Sequence, residues 1–172
     1  MFFHLTELEH HPIHFDVNYA PGEIDLGEDL AQQGPLHAAG SAELLANTLG
    51  EIRLRGRLEA EVTGTCSRCL EAASARVASA FDLFYRPAPE TSAAHAEIHL
   101  EEGESGLSFY TGDGVALEEA VRDFVLLSLP MRLTCREDCQ GLCPQCGANR
   151  NTAPCNCRQE RTDERWAALK NL

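Results

Sequence analysis

Arg53-Leu54-Arg55-Gly56-Arg57-Leu58-Glu59-Ala60-Glu61-Val62-Thr63 is the stretch that decides the fold. Leu54, Leu58, Ala60 and Val62 fall on one face of an extended chain, while Arg53, Arg55, Arg57, Glu59, Glu61 and Thr63 fall on the other. Successive side chains of a strand point to opposite faces, so this period of two reads as a strand of a half-buried antiparallel sheet. The stretch runs into Gly64-Thr65-Cys66-Ser67-Arg68-Cys69, and Ala75 to Tyr85 reads as the returning strand. A tight cysteine turn therefore sits at the tip of a long hairpin.

Working outward, Pro12 to Tyr19 alternates for several steps before the turn residues Pro21-Gly22, and Leu36 to Leu45 reads as a further strand. After Pro87-Ala88-Pro89 breaks the chain, residues 90–106 are polar and acidic and read as a solvated loop. Short strands are expected at Glu97–Leu100 and Leu107–Tyr110. Gly112-Asp113-Gly114 opens a helical stretch with Leu117, Val121, Phe124 and Val125 on one stripe and Glu118 and Glu119 in its first turn. Pro130 stops it.

The charge is uneven. The 172-residue chain carries −13 in all. Residues 1–131 hold 7 basic and 22 acidic groups, whereas residues 132–172 hold 7 basic and 5 acidic ones. The body should be repelled by nucleic acid, and only the cysteine-rich end is free of strong acidity. No apolar run approaches the ~20 residues that cross a bilayer. The opening Met1-Phe2-Phe3-His4-Leu5 lacks a basic-then-apolar pattern, so the expectation is a cytoplasmic protein, where paired cysteines hold metal more often than they form disulfides.

The 8 cysteines carry the chemistry. Cys143-Pro144-Gln145-Cys146-Gly147 has the make-up of a zinc knuckle: proline fixes one backbone angle, and glycine can take positive φ behind the second sulfur. The two side chains of Cys155-Asn156-Cys157 leave an extended segment on one side. Cys143, Cys146, Cys155 and Cys157 are therefore assigned to one tetrathiolate, which leaves Cys66, Cys69, Cys135 and Cys139 for the other. Cys66 and Cys139 must then be neighbours in space. Four thiolates round Zn²⁺ carry a formal −2, for which Arg68, Arg136 and Arg150 are placed to compensate. With every ligand a protein sulfur, no position is left for water, so both ions would be structural. Iron suits tetrahedral sulfur as well. A disulfide framework and thiol redox chemistry at one Cys-x-x-Cys are the other readings, the latter without a thioredoxin-like βαβ context.

Other candidates carry less. His4, His10, His11 and His14 read as inert surface or strand residues, and Arg53, Arg55 and Arg57 as partners of cross-strand glutamates. There is no Gly-rich phosphate loop, Gly-x-Ser-x-Gly elbow or His-Glu-x-x-His.

The expected fold class is α+β: an antiparallel sheet with a long hairpin, one packed helix and a zinc-braced cysteine-rich C-terminal segment. Residues 1–131 form the body carrying the Cys66/Cys69 hairpin tip. Residues 132–172 form the zinc-binding tail with a short helix at Arg158–Leu169, packed on the body.

Cys66-Ser67-Arg68-Cys69-Leu70, the helix end Leu126-Leu127-Ser128-Leu129-Pro130, and the tail Cys139-Gln140-Gly141-Leu142-Cys143-Pro144-Gln145-Cys146-Gly147-Ala148-Asn149-Arg150-Asn151 with Cys155-Asn156-Cys157 together resemble the YceD-type large ribosomal RNA subunit accumulation proteins, in their long cysteine-rich form. The resemblance spans roughly residues 50 to 160. It implies a non-catalytic ribosome-biogenesis factor that sustains large-subunit (23S) ribosomal RNA. Its partners would be the precursor large subunit, the RNA itself or a basic ribosomal protein, with no membrane and no small-molecule substrate. The residues proposed to meet RNA or partner are Arg132, Arg136, Arg150, Arg158, Arg161 and Arg165. A thiol-disulfide protein is the alternative, and a generic zinc ribbon binding DNA or a polymerase a third reading.

Overall fold

A computed structural model describes residues 1–88, 107–153 and 155–157. The expected strand at Glu97–Leu100, the acidic loop over 90–106, the helix at Arg158–Leu169 and the arginines Arg158, Arg161 and Arg165 lie outside them. The described elements are β1 (Phe2–His4), α1 (Leu5–Leu8), β2 (Ile13–Tyr19), β3 (Leu30–Gln32), β4 (Leu36–Leu44), β5 (Ile52–Thr65), β6 (Ala72–Pro87), β7 (Leu107–Tyr110), β8 (Gly114–Ala116) and α2 (Leu117–Ser128). The chain divides into two compact units. One is Met1–Gly64 with Ser74–Met131, and the other is Thr65–Ala73 with Arg132–Leu172, so the cysteine turn belongs to the second.

The first unit is built on a six-stranded sheet in the order β2-β4-β5-β6-β7, with β3 also pairing β5. The β2–β4 pair runs antiparallel from Ile13↔Ala42 to Tyr19↔Leu36, and β4–β5 from His37↔Glu59 to Leu44↔Ile52. The sheet is mixed rather than wholly antiparallel, because β7 pairs parallel to β6, Phe84 facing Leu107. Among the described residues a helix that was not expected, α1, joins α2. The residues read as the start of that helix instead form β8, paired with β1 through Phe3↔Val115. Only at Leu117 does the chain become helical.

The alternation of β5 fixes which face is buried. Ile52, Leu54, Leu58 and Val62 are fully buried, whereas Arg55, Arg57, Glu59 and Glu61 are exposed. On the polar face Arg53 donates two hydrogen bonds of 2.7 Å to Asp82, and both Arg53 and Arg55 approach Glu43. The expected pairing with glutamates is thus met for Arg53 and Arg55 at Glu43, although the shorter contacts of Arg53 go to Asp82. On the apolar face Leu117, Ala120, Val121 and Val125 of α2 join the core.

One feature of this core depends on glycine. Gly40 and Gly56 are direct partners across β4 and β5. A Cβ on Gly40 would lie 2.2 Å from the Arg55 carbonyl oxygen, and one on Gly56 only 2.3 Å from that of Ala39. Phe15 and Phe81 cover the gap, their rings stacked at 6.4 Å with an 11° tilt. The ring edges fill space that two side chains would otherwise occupy, an arrangement known to rescue glycines within sheets. Gly56→Ala is therefore expected to destabilise the protein by about 1–3 kcal/mol through overpacking. Thermal unfolding checks this, and an unchanged midpoint would show that the strands have room to part.

Candidate metal centres

The second unit contains two turns built alike. In Cys66-Ser67-Arg68-Cys69-Leu70-Glu71 the Leu70 N–H donates to the Cys66 carbonyl at 3.0 Å, and the Cys66 N–H to that of Glu71 at 2.7 Å. In Cys143-Pro144-Gln145-Cys146-Gly147-Ala148 the Gly147 N–H donates to the Cys143 carbonyl at 2.8 Å, and the Cys143 N–H to that of Ala148 at 2.8 Å. The residue after the second cysteine has positive φ in both, 63° at Leu70 and 72° at Gly147. Such a turn puts two sulfurs on one side and its own amides behind the first of them. Those of Cys69 and Arg68, with that of Cys135, hold the Cys66 thiol down at about 6. Those of Cys146 and Gln145 hold Cys143 down to about 6 likewise.

The positive φ of Gly147 is legible in the sequence; that of Leu70 is not. A β-carbon in this conformation costs about 1–2 kcal/mol. Nothing lies within 4 Å of a Cβ built on Gly147, so Gly147→Ala probes the backbone term alone. It should cost about 1 kcal/mol, and Leu70→Gly should gain up to that amount, less the entropy of a freer unfolded chain. Denaturant midpoints for the two variants are expected to move in opposite directions; movement the same way would mean the turns are not equivalent.

The remaining sulfurs come to these turns from elsewhere in the same unit. Cys66, Cys69, Cys135 and Cys139 form one group and Cys143, Cys146, Cys155 and Cys157 the other, with all four sulfurs of each group within 4.8 Å of one another. In the first centre Cys66 Sγ lies 3.9 Å from Cys139 Sγ, and Cys69 Sγ 3.6 Å from Cys135 Sγ. A tetrahedral ion about 2.3 Å from each ligand sets sulfurs about 3.8 Å apart, whereas a disulfide needs ~2.05 Å. All eight cysteines are free thiols. The donor set thus fits an ion, and both groups can hold one.

The supports are specific. The Ser67 N–H donates to the Leu133 carbonyl at 2.8 Å, and that of Leu142 to the Arg68 carbonyl at 2.9 Å. Arg68, expected to offset thiolate charge, instead donates to the carbonyls of Glu137 and Cys139, both at 3.1 Å, and so shapes the loop bearing Cys139. Arg136 donates to Asn151 at 2.8 Å and lies 3.3 Å from Asp138. Arg132, Arg136 and Arg150 are exposed. Within each centre the thiols are graded: beside Cys69, Cys135 is pushed up to about 12, and beside Cys146, Cys157 is pushed up to about 12. Among the described residues the histidines join neither group; His4 meets Asp113 at 3.0 Å and His37 meets Asp16 at 2.8 Å.

A sheet protein with two four-sulfur centres that can hold metal ions is the class that fold and site define together. Its family follows from the sequence: residues 54–172 match the profile described as "Large ribosomal RNA subunit accumulation protein YceD", and the chain belongs to that family. It is 34% identical over 159 residues to an uncharacterized protein of Mycobacterium tuberculosis, covering 91% of this chain and 72% of that one. It is 27% identical over 142 residues to the chloroplastic large ribosomal RNA subunit accumulation protein YCED homolog 1 of Arabidopsis thaliana, covering 71% of this chain and 44% of that one. For the homolog of the same name in Zea mays the identity is 28% over 131 residues. No solved structure matches. Among the described residues no helix is long and apolar enough to cross a membrane.

Proposed function

We propose that this protein is a non-catalytic ribosome-biogenesis factor, cytoplasmic, that promotes accumulation of large-subunit (23S) ribosomal RNA, and that its two cysteine centres hold structural zinc. The observation that carries the metal reading is the gathering of eight sulfurs into two closed sets at cage spacing. The family supplies the ribosomal reading. Zinc is favoured over iron because it has no redox chemistry of its own and is the usual ion of closed Cys₄ sites. When bound it supplies a cross-link, pinning the hairpin turn at Cys66 and Cys69 to the segment of Cys135 and Cys139. With four protein sulfurs on each ion, no position remains for substrate.

In this reading the strongly acidic residues 1–131 dock a basic ribosomal protein or assembly factor. The less acidic tail meets RNA of the precursor large subunit through Arg132, Arg136, Arg150, Arg158, Arg161 and Arg165. The test is co-sedimentation of the metal-loaded protein with precursor large subunits, with and without charge reversal of those arginines. Loss of pelleting on reversal is expected; undiminished pelleting would remove the RNA contact from the proposal.

The competing thiol-disulfide reading has one observation in its favour: Cys66 and Cys143, each first in a Cys-x-x-Cys, titrate at about 6. Both are buried, however, at 0% and 3% exposure. Of the exposed cysteines, Cys135 and Cys157 are pushed up to about 12. A redox nucleophile needs a low pKa and access in the same atom. Here they are separated.

A further inference from the structure

The two centres are joined by a side chain that ligates neither. Asn151 lies in the loop between Cys146 and Cys155, both sulfurs of the second centre. That loop folds back on the residues before Cys143: Ala148 accepts from the Cys143 N–H, Leu142 and Asn149 form an isolated antiparallel bridge, and the Arg150 N–H donates to the Gly141 carbonyl at 2.9 Å. Asn149 then sets its neighbour, its Oδ1 accepting from the Asn151 backbone N–H at 3.0 Å and from the Asn151 Nδ2 at 2.8 Å. So placed, Asn151 turns its side chain to the first centre. Its Oδ1 accepts from the Gln140 N–H and from Arg136 Nη2, both at 2.8 Å. Its Nδ2 donates to Cys139 Sγ at 3.4 Å. A loop whose two ends are clamped by one cage thus delivers an N–H to a sulfur of the other.

We infer that Asn151 is a positioning residue that couples metal loading of the two centres. An ion held by Cys143, Cys146, Cys155 and Cys157 holds the chain on either side of Asn151 and so fixes the Asn151 amide against Cys139. An N–H aimed at a thiolate stabilises its charge and orients the lone pair it offers the metal, which is how outer partners of metal ligands change affinity about 10- to 100-fold. Binding linkage is reciprocal, so an ion in the first centre must favour the second by the same factor. This inference rests on the metal reading above, yet it fails separately from it.

The test is titration of the reduced full-length chain with Zn²⁺ followed by native mass spectrometry, and with Co²⁺ followed by the visible absorption of tetrathiolate cobalt. The wild-type chain is expected to pass from no ions to two with little one-ion species. Cys155→Ser with Cys157→Ser should weaken the remaining centre about 10- to 100-fold, and Cys66→Ser with Cys69→Ser should weaken the other equally. Asn151→Ala leaves all eight sulfurs in place and should make the one-ion species accumulate. Asn151→Asp keeps the oxygen that Gln140 and Arg136 need but replaces the amide nitrogen, which faces both Cys139 Sγ and Asn149 Oδ1, by a carboxylate oxygen; it should weaken the first centre at least as much as alanine does. Independent filling in the wild type, or a centre indifferent to removal of its neighbour, would overturn the coupling while leaving two metal sites standing. Wild-type affinity in the aspartate variant would overturn the role of the N–H. A wild-type chain that takes up neither ion would overturn both the metal reading and the inference built on it.

Discussion

With both centres loaded as proposed, Cys135→Ser, a substitution at an exposed residue, is expected to remove one of the two ions and to unfold the cysteine-rich unit around the first centre. An ordinary surface substitution changes stability by less than about 0.5 kcal/mol. If packing were all that held this segment, serine at position 135 would be silent. In a tetrathiolate the exposed sulfur counts as much as the buried ones, because each closes the same polyhedron. Ion binding at structural sites of this kind is worth on the order of 10 kcal/mol and is itself folding free energy. Loss of one ligand in four should therefore cost several kcal/mol, seen as one ion fewer by native mass spectrometry and faster proteolysis after Arg132. A variant that keeps two ions and its protease resistance would show that the sulfurs do not act as a cage. The same atom gives the pH dependence. Held at about 12 by the sulfur of Cys69, the Cys135 thiol keeps its proton at pH 7 without metal and must release it on loading. Loading thus acidifies a weakly buffered solution, and affinity falls as pH is lowered.

Phe81→Ala is expected to be the most damaging substitution in the first unit, at about 3–5 kcal/mol. Phe81 is 6% exposed and stands at the centre of an aromatic row: stacked on Phe15 at 6.4 Å, tilted against Phe124 of α2 at 5.4 Å, with Phe3 touching Phe15 at 5.7 Å. Its ring also covers the place where Gly56 has no side chain. Truncation would open a cavity that the glycine pair cannot close, since neither residue has atoms to move in. Urea unfolding followed through Tyr85 and Tyr110, both in or against this core, gives the measurement. A cost near 1 kcal/mol would mean that α2 collapses onto the gap.

The long strands were legible because each is buried on one face only. Alternation in β2 and β5 carries through almost to their observed ends, and the hairpin return follows from it. The four-residue β7 was expected at Leu107–Tyr110, but the three-residue strands were not. β1, β3 and β8 have three residues each, too few to show a period, and Phe3 is fully buried beside exposed Phe2 with nothing local to mark it. Nor does alternation encode direction, since a strand buries the same face whether its neighbour runs parallel or antiparallel; hence the parallel β6–β7 pair came as a correction. The grouping of sulfurs was legible for a geometric reason: a Cys-x-x-Cys turn and a Cys-x-Cys segment each fix two sulfurs locally. The supports were not. Leu70 offers no sign of left-handed backbone except its place after the second cysteine, where Gly147 stands in the other turn. Comparing the two turns residue by residue would have found it.

The sulfur cages also settle how uptake of a cation alters the molecule as a whole. Counted formally, with every cysteine of the empty protein taken as a neutral thiol, two divalent ions would take the charge from −13, through a loss of eight protons and a gain of four charges, to −17. Taking up positive ions would leave this protein more anionic than before. An anion-exchange column would retain the loaded form longer than the empty one, the reverse of what a carboxylate-bound calcium or magnesium would do.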